Sequence, residues 1–229
     1  MGEFPHQKGM TMAPLLQLAL DYIELEPALE MARLVRDEVD IIELGTPLVK
    51  AEGMRAVRAI REACPDNLIL ADMKTPDVGA LEAAIAFDAG ANWITVIGCA
   101  PLITVREAVE EARRRENHAA LVELTGLRDI VERADEWRQA GVERLVYHKG
   151  WDEGNVEGRR WNAADLTTIG QLIERGFKVS VAGALDLESV VMFKDLPVSV
   201  FVVGRAIRET GNPPASARAF RETIAQYWA

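Results

Sequence analysis

The chain has 229 residues, a length that suits one compact α/β barrel of about 200–250 residues. Its 49% apolar and 27% charged residues are the balance of a globular chain able to bury a core without staples. A formal charge of −10 repels polyanions, so neither nucleic acid nor an anionic membrane is an expected partner.

Taken in chain order, residues 1–14 carry no basic-plus-apolar leader pattern and are expected to be a flexible tail. From Leu15 to residue 229 the pattern predicts a single catalytic domain. Short apolar runs cover Leu15–Asp21, Asp40–Gly45, Leu68–Met73, Trp93–Gly98, Ala119–Gly126, Arg144–His148, Lys178–Gly183 and Ser199–Gly204. Several are rich in Val and Ile, as strands buried on both faces require. Between them, segments such as Glu52–Ala63 and Ile103–Arg115 repeat apolar residues three and four apart, the period of a helix. Eight such strand–helix units with right-handed crossovers predict a (β/α)₈ TIM barrel in the α/β class. A doubly wound open sheet is the rival, but the glycine-rich GxGxxG turn it calls for is absent after the first strand. The longest apolar stretch, Trp93–Val105, is interrupted by Gly98 and Pro101 and falls short of the roughly 18 residues of a membrane span. Cys64 and Cys99 have no metal-ligand spacing and are expected to be buried, in a reducing cytoplasm. Trp93, Trp137 and Trp228 are expected to pack, and His6 and His118 are assigned no role.

The active site of such a barrel lies at the C-terminal strand ends. There the chain places Asp21, Glu43, Asp72 with Lys74, Gly98, Glu123, His148, Gly183 and Gly204-Arg205. Several acids buried together are costly unless cations compensate them, and Lys74 is one such cation. In Asp72-Met73-Lys74-Thr75-Pro76-Asp77, strand alternation points Asp72 and Lys74 the same way, while Pro76 ends the strand and presents Asp77. A lysine held between acids can stabilise an enediolate or deliver a proton; a structural ion pair is the alternative. Glu43 and Asp72 end neighbouring strands, so both can reach one Mg²⁺, unless Glu43 merely pairs with Lys74. Gly183 and Gly204-Arg205 close the last two strands, where barrels often bind phosphate through backbone N–H groups and a forked guanidinium. His148 is a candidate proton donor or water positioner, or else a core histidine.

Together these residues resemble the orotidine 5′-monophosphate decarboxylase suprafamily. The closer resemblance is to its branch of 3-keto-L-gulonate 6-phosphate decarboxylases and 3-hexulose-6-phosphate synthases. It extends from Leu15 nearly to the end. The segments that carry it are Gln17-Leu18-Ala19-Leu20-Asp21, Val39-Asp40-Ile41-Ile42-Glu43-Leu44-Gly45-Thr46, Asp72-x-Lys74-x-x-Asp77, Val122-Glu123-Leu124-Thr125-Gly126 and Val203-Gly204-Arg205. Glutamate at position 43 matches the metal-dependent branch, where the nucleotide decarboxylases carry lysine. The resemblance implies Glu43 and Asp72 as Mg²⁺ ligands, Lys74 beside an enediolate, and substrate contacts from Asp21 and Glu123. It further implies a phosphate seat at Gly183, Ala184, Gly204 and Arg205. A homodimer is also implied, with Asp77 reaching into the neighbouring protomer's site.

Within the branch, Glu123, the Tyr147-His148 pair and the run Phe201–Arg208 look like the decarboxylase. The expected reaction is decarboxylation of 3-keto-L-gulonate 6-phosphate to L-xylulose 5-phosphate. The alternatives are hexulose-phosphate synthesis from D-ribulose 5-phosphate and formaldehyde, and sugar-phosphate binding without catalysis. Three positions depart from the decarboxylase pattern. Trp151 stands where an arginine is usual, Ala182 replaces a threonine in the synthase manner, and Ala184 replaces a glycine.

Overall fold

The computed structural model describes residues 13–150, 152 and 160–228; Trp151, one of the three departures, lies outside them. Eight parallel strands close in sequence order into one barrel: β1 (Leu15–Leu20), β2 (Ile41–Leu44), β3 (Leu68–Thr75), β4 (Trp93–Ile97), β5 (Ala119–Glu123), β6 (Arg144–His148), β7 (Lys178–Ala182) and β8 (Val200–Val203). Closure is made by β1 on β8, with Leu15 opposite Val200 and Leu18 opposite Val203. Among the described residues the helices around it are α1 (Leu25–Val35), α2 (Thr46–Glu52), α3 (Met54–Ala63), α4 (Gly79–Asp88), α5 (Leu102–Arg113), α6 (Ile130–Gln139), α7 (Ala163–Glu174), α8 (Leu187–Val191), α9 (Arg205–Arg208) and α10 (Pro213–Trp228). The expected (β/α)₈ barrel is the fold.

The pleat sorts each strand between two cores. Outward residues such as Leu16, Leu18, Ile42, Ile69 and Phe201 pack under the helices. Inward ones, among them Ile41, Leu70, Trp93, Leu121, Val146, Ala182, Val200 and Val202, fill the barrel itself. Each large side chain so buried contributes about 1.5–3 kcal/mol. Gln17, Glu43, Asp72, Thr95, Glu123 and Ser180 are buried polar residues that share the parity of the inward set on their strands. The barrel therefore has an apolar plug below a polar mouth.

Two details differ from expectation. The helical pattern over Glu52–Ala63 is α3, which starts at Met54 after Gly53 at φ +60°, and a separate short helix, α2, precedes that glycine. Of the cysteines only Cys64 is buried; Cys99 is exposed in the turn after β4, where no neighbouring element covers it.

Candidate active site

β3 carries the centre of the site, and it is not a regular strand. Its pairing with β4 slips between Ala71 and Thr75, and Lys74 occupies the left-handed region at φ +46°. A non-glycine residue there is held by its surroundings, at a cost of about 1–3 kcal/mol. Thr95 supplies part of the hold: its Oγ1 accepts from the Lys74 backbone N–H (2.9 Å) and donates to Asp72 Oδ1 (2.6 Å). Asp72 Oδ2 accepts from Thr46 Oγ1 (2.5 Å) and from Lys74 Nζ in a close ion pair. Lys74 Nζ also donates to Thr46 Oγ1 at 2.9 Å and lies 3.7 Å from Glu123 Oε2. The ammonium is thus set between two carboxylates.

Electrostatics divides the acids. Burial opposes the charge on Asp72, but Lys74 and the hydroxyls of Thr46 and Thr95 outweigh it and hold the carboxyl below its usual range. Burial likewise opposes the charge on Lys74, yet Asp72 and Glu123 raise its affinity for the proton. Lys74 acts on Glu43 only through a weaker charge interaction and makes no ion pair with it. Its Oε2 accepts from Gln17 Nε2 at 2.7 Å, while burial and the charges of Asp72 and Asp21 push its carboxyl up to about 8. The expected alternative of a Glu43–Lys74 pair is not what the geometry gives: Lys74 is taken by Asp72. Burial also raises Asp21, against the pull of Arg208, whose Nη2 is 3.8 Å from Asp21 Oδ2.

Glu123 Oε1 receives the Thr125 N–H (3.1 Å), the Thr125 hydroxyl and His148 Nδ1 (3.1 Å). Hydrogen-bond logic puts the His148 proton on Nδ1 and leaves Nε2 as the ring's acceptor when neutral. His148 also lines a cavity of about 460 Å³ with Leu124, Tyr147, Lys149 and Asp165. The structure therefore gathers Asp72, Lys74, Glu123 and His148 by direct contact, and Glu43 and Asp21 by charge. Asp77 is not brought in: it is exposed, and its Oδ1 accepts its neighbour Val78's N–H at 2.8 Å. Gln17, Thr46, Thr95, Thr125 and Arg208 were not singled out from the sequence. Thr95 had a usable signal, a polar residue at an inward position of the otherwise apolar strand Trp93-Ile94-Thr95-Val96-Ile97.

Among the described residues, no group of three or more His, Cys, Asp or Glu forms an all-protein metal cage. Glu43 and Asp72 instead offer two carboxylates from adjacent strands, the kind of donor set Mg²⁺ takes when other oxygens complete its shell. The acids Asp21, Glu43, Asp72 and Glu123 outnumber the cations Lys74 and Arg208 that act on them, and a further cation fits this imbalance. At the opposite rim, Gly183 at φ +96° sits where an added Cβ would lie 2.0 Å from the Lys149 carbonyl oxygen. Ala184 follows at φ +50°, and Arg205 opens α9 directly after Gly204. Left-handed geometry penalises alanine by about 1–2 kcal/mol, partly offset by the greater entropy glycine loses on folding. Ala184→Gly is expected to stabilise the protein by about 0.5–1 kcal/mol in urea titration; a destabilised variant would show that the turn carries no strain.

The model of the orotidine 5′-phosphate decarboxylase / HUMPS family matches residues 14–220. The chain belongs to this family. A 3-keto-L-gulonate-6-phosphate decarboxylase of Salmonella typhi is 43% identical over 94% of this chain and 98% of its own length. Among solved structures, KGPDC from Streptococcus mutans in complex with D-R5P superposes with a TM-score of 0.91 at 35% identity, covering 95% of this chain and 100% of that one. A 3-hexulose-6-phosphate synthase gives 0.86 at 40% identity, over 92% and 99% of the two chains. On this similarity the family member described here is an enzyme, a decarboxylase and hence a carboxy-lyase.

Proposed function

We propose that the enzyme decarboxylates a β-keto sugar-acid phosphate, 3-keto-L-gulonate 6-phosphate, to L-xylulose 5-phosphate and CO₂ through a cis-enediolate. The observation that carries this reading is the Lys74 ammonium clamped between Asp72 and Glu123 at the barrel mouth. The substrate's phosphate would lie against Gly183, Ala184, Gly204 and Arg205, with its sugar hydroxyls on Asp21 and Glu123. When the carboxylate leaves as CO₂, the bond's electron pair passes onto the adjacent carbonyl and forms the enediolate. Lys74 meets that charge in a site already organised for it, which is where electrostatic catalysis gains most. His148, oriented through Nδ1 by Glu123, holds at Nε2 the water that returns a proton to carbon. Glu43 and Asp72 would hold Mg²⁺, which supplies Lewis-acid stabilisation of the substrate's oxygens when bound.

The site is shared between two protomers in this reading. Asp77 is exposed beside Val78, Leu81, Ile85 and Ile103 of the α4–α5 face, which are 53%, 62%, 43% and 56% exposed. Such an apolar face is suited to burial against a second copy, which would carry Asp77 toward the neighbouring site. No helix among the described residues is long and apolar enough to cross a membrane; we propose a cytoplasmic location because Cys64 and Cys99 are both free thiols, which suits a reducing compartment.

Ala182 and the 40%-identical synthase support a second reading, condensation of formaldehyde with the enediolate of D-ribulose 5-phosphate. The two are separated by offering purified enzyme and Mg²⁺ each substrate in parallel. Chelator-sensitive CO₂ release is the expected result; formaldehyde consumption without CO₂ release would replace the decarboxylase reading with the synthase.

A further inference from the structure

Trp161, which makes no part of the acid–lysine centre, ties together the loops that follow β6 and β7. It is almost fully buried, at 6% exposure. Its Nε1–H donates to the Gly183 carbonyl oxygen at 3.0 Å. Its ring meets Phe193 edge-on at 5.1 Å, and Lys149 Nζ stands 5.1 Å from its centroid. Lys149 is itself fixed, with Nζ 2.6 Å from Asp165 Oδ2 and 2.8 Å from the Arg160 carbonyl oxygen. The Lys149 backbone N–H donates to the Ala182 carbonyl oxygen at 2.9 Å, and its own carbonyl abuts Gly183. The turn is therefore gripped from both sides while two successive residues hold positive φ, at +96° and +50°.

A peptide plane turns its carbonyl and its N–H in opposite directions. With the Gly183 oxygen spent on the indole, the Ala184 N–H must face away from Trp161. We propose that Trp161 is a positioning residue for the phosphate subsite, its indole N–H setting the Gly183–Ala184 peptide so that the Ala184 N–H serves the anion. This rests on the phosphate placement given under the proposed function. The burial of Trp161 and its hydrogen bond to the Gly183 carbonyl assign it to binding, not to the chemical step. Because Lys149 follows His148 directly, the same clamp joins the histidine's strand end to the phosphate turn.

The test replaces Trp161 in the full-length enzyme with benzothienylalanine, an isostere that keeps the ring and lacks the N–H, alongside Trp161→Phe. Loss of one such hydrogen bond is worth about five- to tenfold in binding. The expected result is a rise of that size in KM for the sugar phosphate and in the inhibition constant of inorganic phosphate, with kcat within twofold. Arg205→Ala serves as the control on the subsite. If Arg205→Ala weakens phosphate inhibition and neither Trp161 variant does, the clamp is refuted and the phosphate placement stands. If Arg205→Ala leaves phosphate inhibition unchanged, the placement fails and the inference falls with it. A fall in kcat with unchanged phosphate inhibition would also overturn the assignment.

Discussion

Lys74→Ala is expected to lower turnover by about 10³-fold or more while leaving the barrel folded. Removing one preorganised donor from a developing oxyanion commonly costs 10²–10³-fold, and here the lost group also carries a full charge. Arg208, a second cation acting on this acid cluster, does not take its place, because it is directed at Asp21, with Nη2 3.8 Å from its Oδ2. Asp72 would keep its hydrogen bonds from Thr46 and Thr95, so its carboxylate stays partly compensated. We expect a loss of stability of about 1–3 kcal/mol, read by urea titration, and an unchanged far-ultraviolet circular dichroism spectrum. A variant retaining a tenth of wild-type turnover would remove Lys74 from the chemistry. The role would then have to be given to the proposed Mg²⁺ alone.

Glu43→Gln should separate stability from function in opposite directions. In the metal-free protein burial, together with Asp72 and Asp21, pushes the Glu43 carboxyl up to about 8. An unfolded glutamate ionises near 4.5. Between those two values the folded state binds the proton that the unfolded state has released, so folding stability falls as pH rises through this window. The neutral amide escapes this penalty. It can also donate to Gln17 Oε1, which is buried without a hydrogen-bond partner. At pH 8 without metal, the variant should melt at least about 5 °C higher than wild type, and the difference should shrink toward pH 5. Decarboxylation should fall by at least 10³-fold in the same variant, and Mg²⁺ should raise the melting temperature of wild type only. Equal Mg²⁺ stabilisation of both proteins would take Glu43 out of the metal site. A variant no more stable than wild type at pH 8 would show that Glu43 is not held neutral by its neighbours.

These two residues mark how far the chain could be read in one dimension. Eight apolar runs separated by helical stretches leave little choice but a closed barrel, since strands apolar on both faces need cover on both faces. Closure then sends every C-terminal strand end to one mouth, so Asp21, Glu43, Asp72, Glu123 and His148 could be placed there by counting residues along each run. The Asp72–Lys74 pair followed from the same alternation, although the contact is made by a left-handed Lys74 at a slipped register and not by a regular strand.

What the order of residues settled was therefore the architecture and the membership of the mouth. What the tertiary structure alone decided was the pairing among those members. Lys74 lies between Asp72 and Glu123 and leaves Glu43 to Gln17, because the β3–β4 slip and the hydroxyls of Thr46 and Thr95 fix distances that no local pattern encodes. Asp77 turns out onto an exposed face, and Trp161 reaches forward to Gly183 across 22 positions. Period-two alternation is a property of a strand by itself, so sequence carries it. Charge pairing and desolvation depend on which strands and loops meet, so they exist only once the barrel has closed.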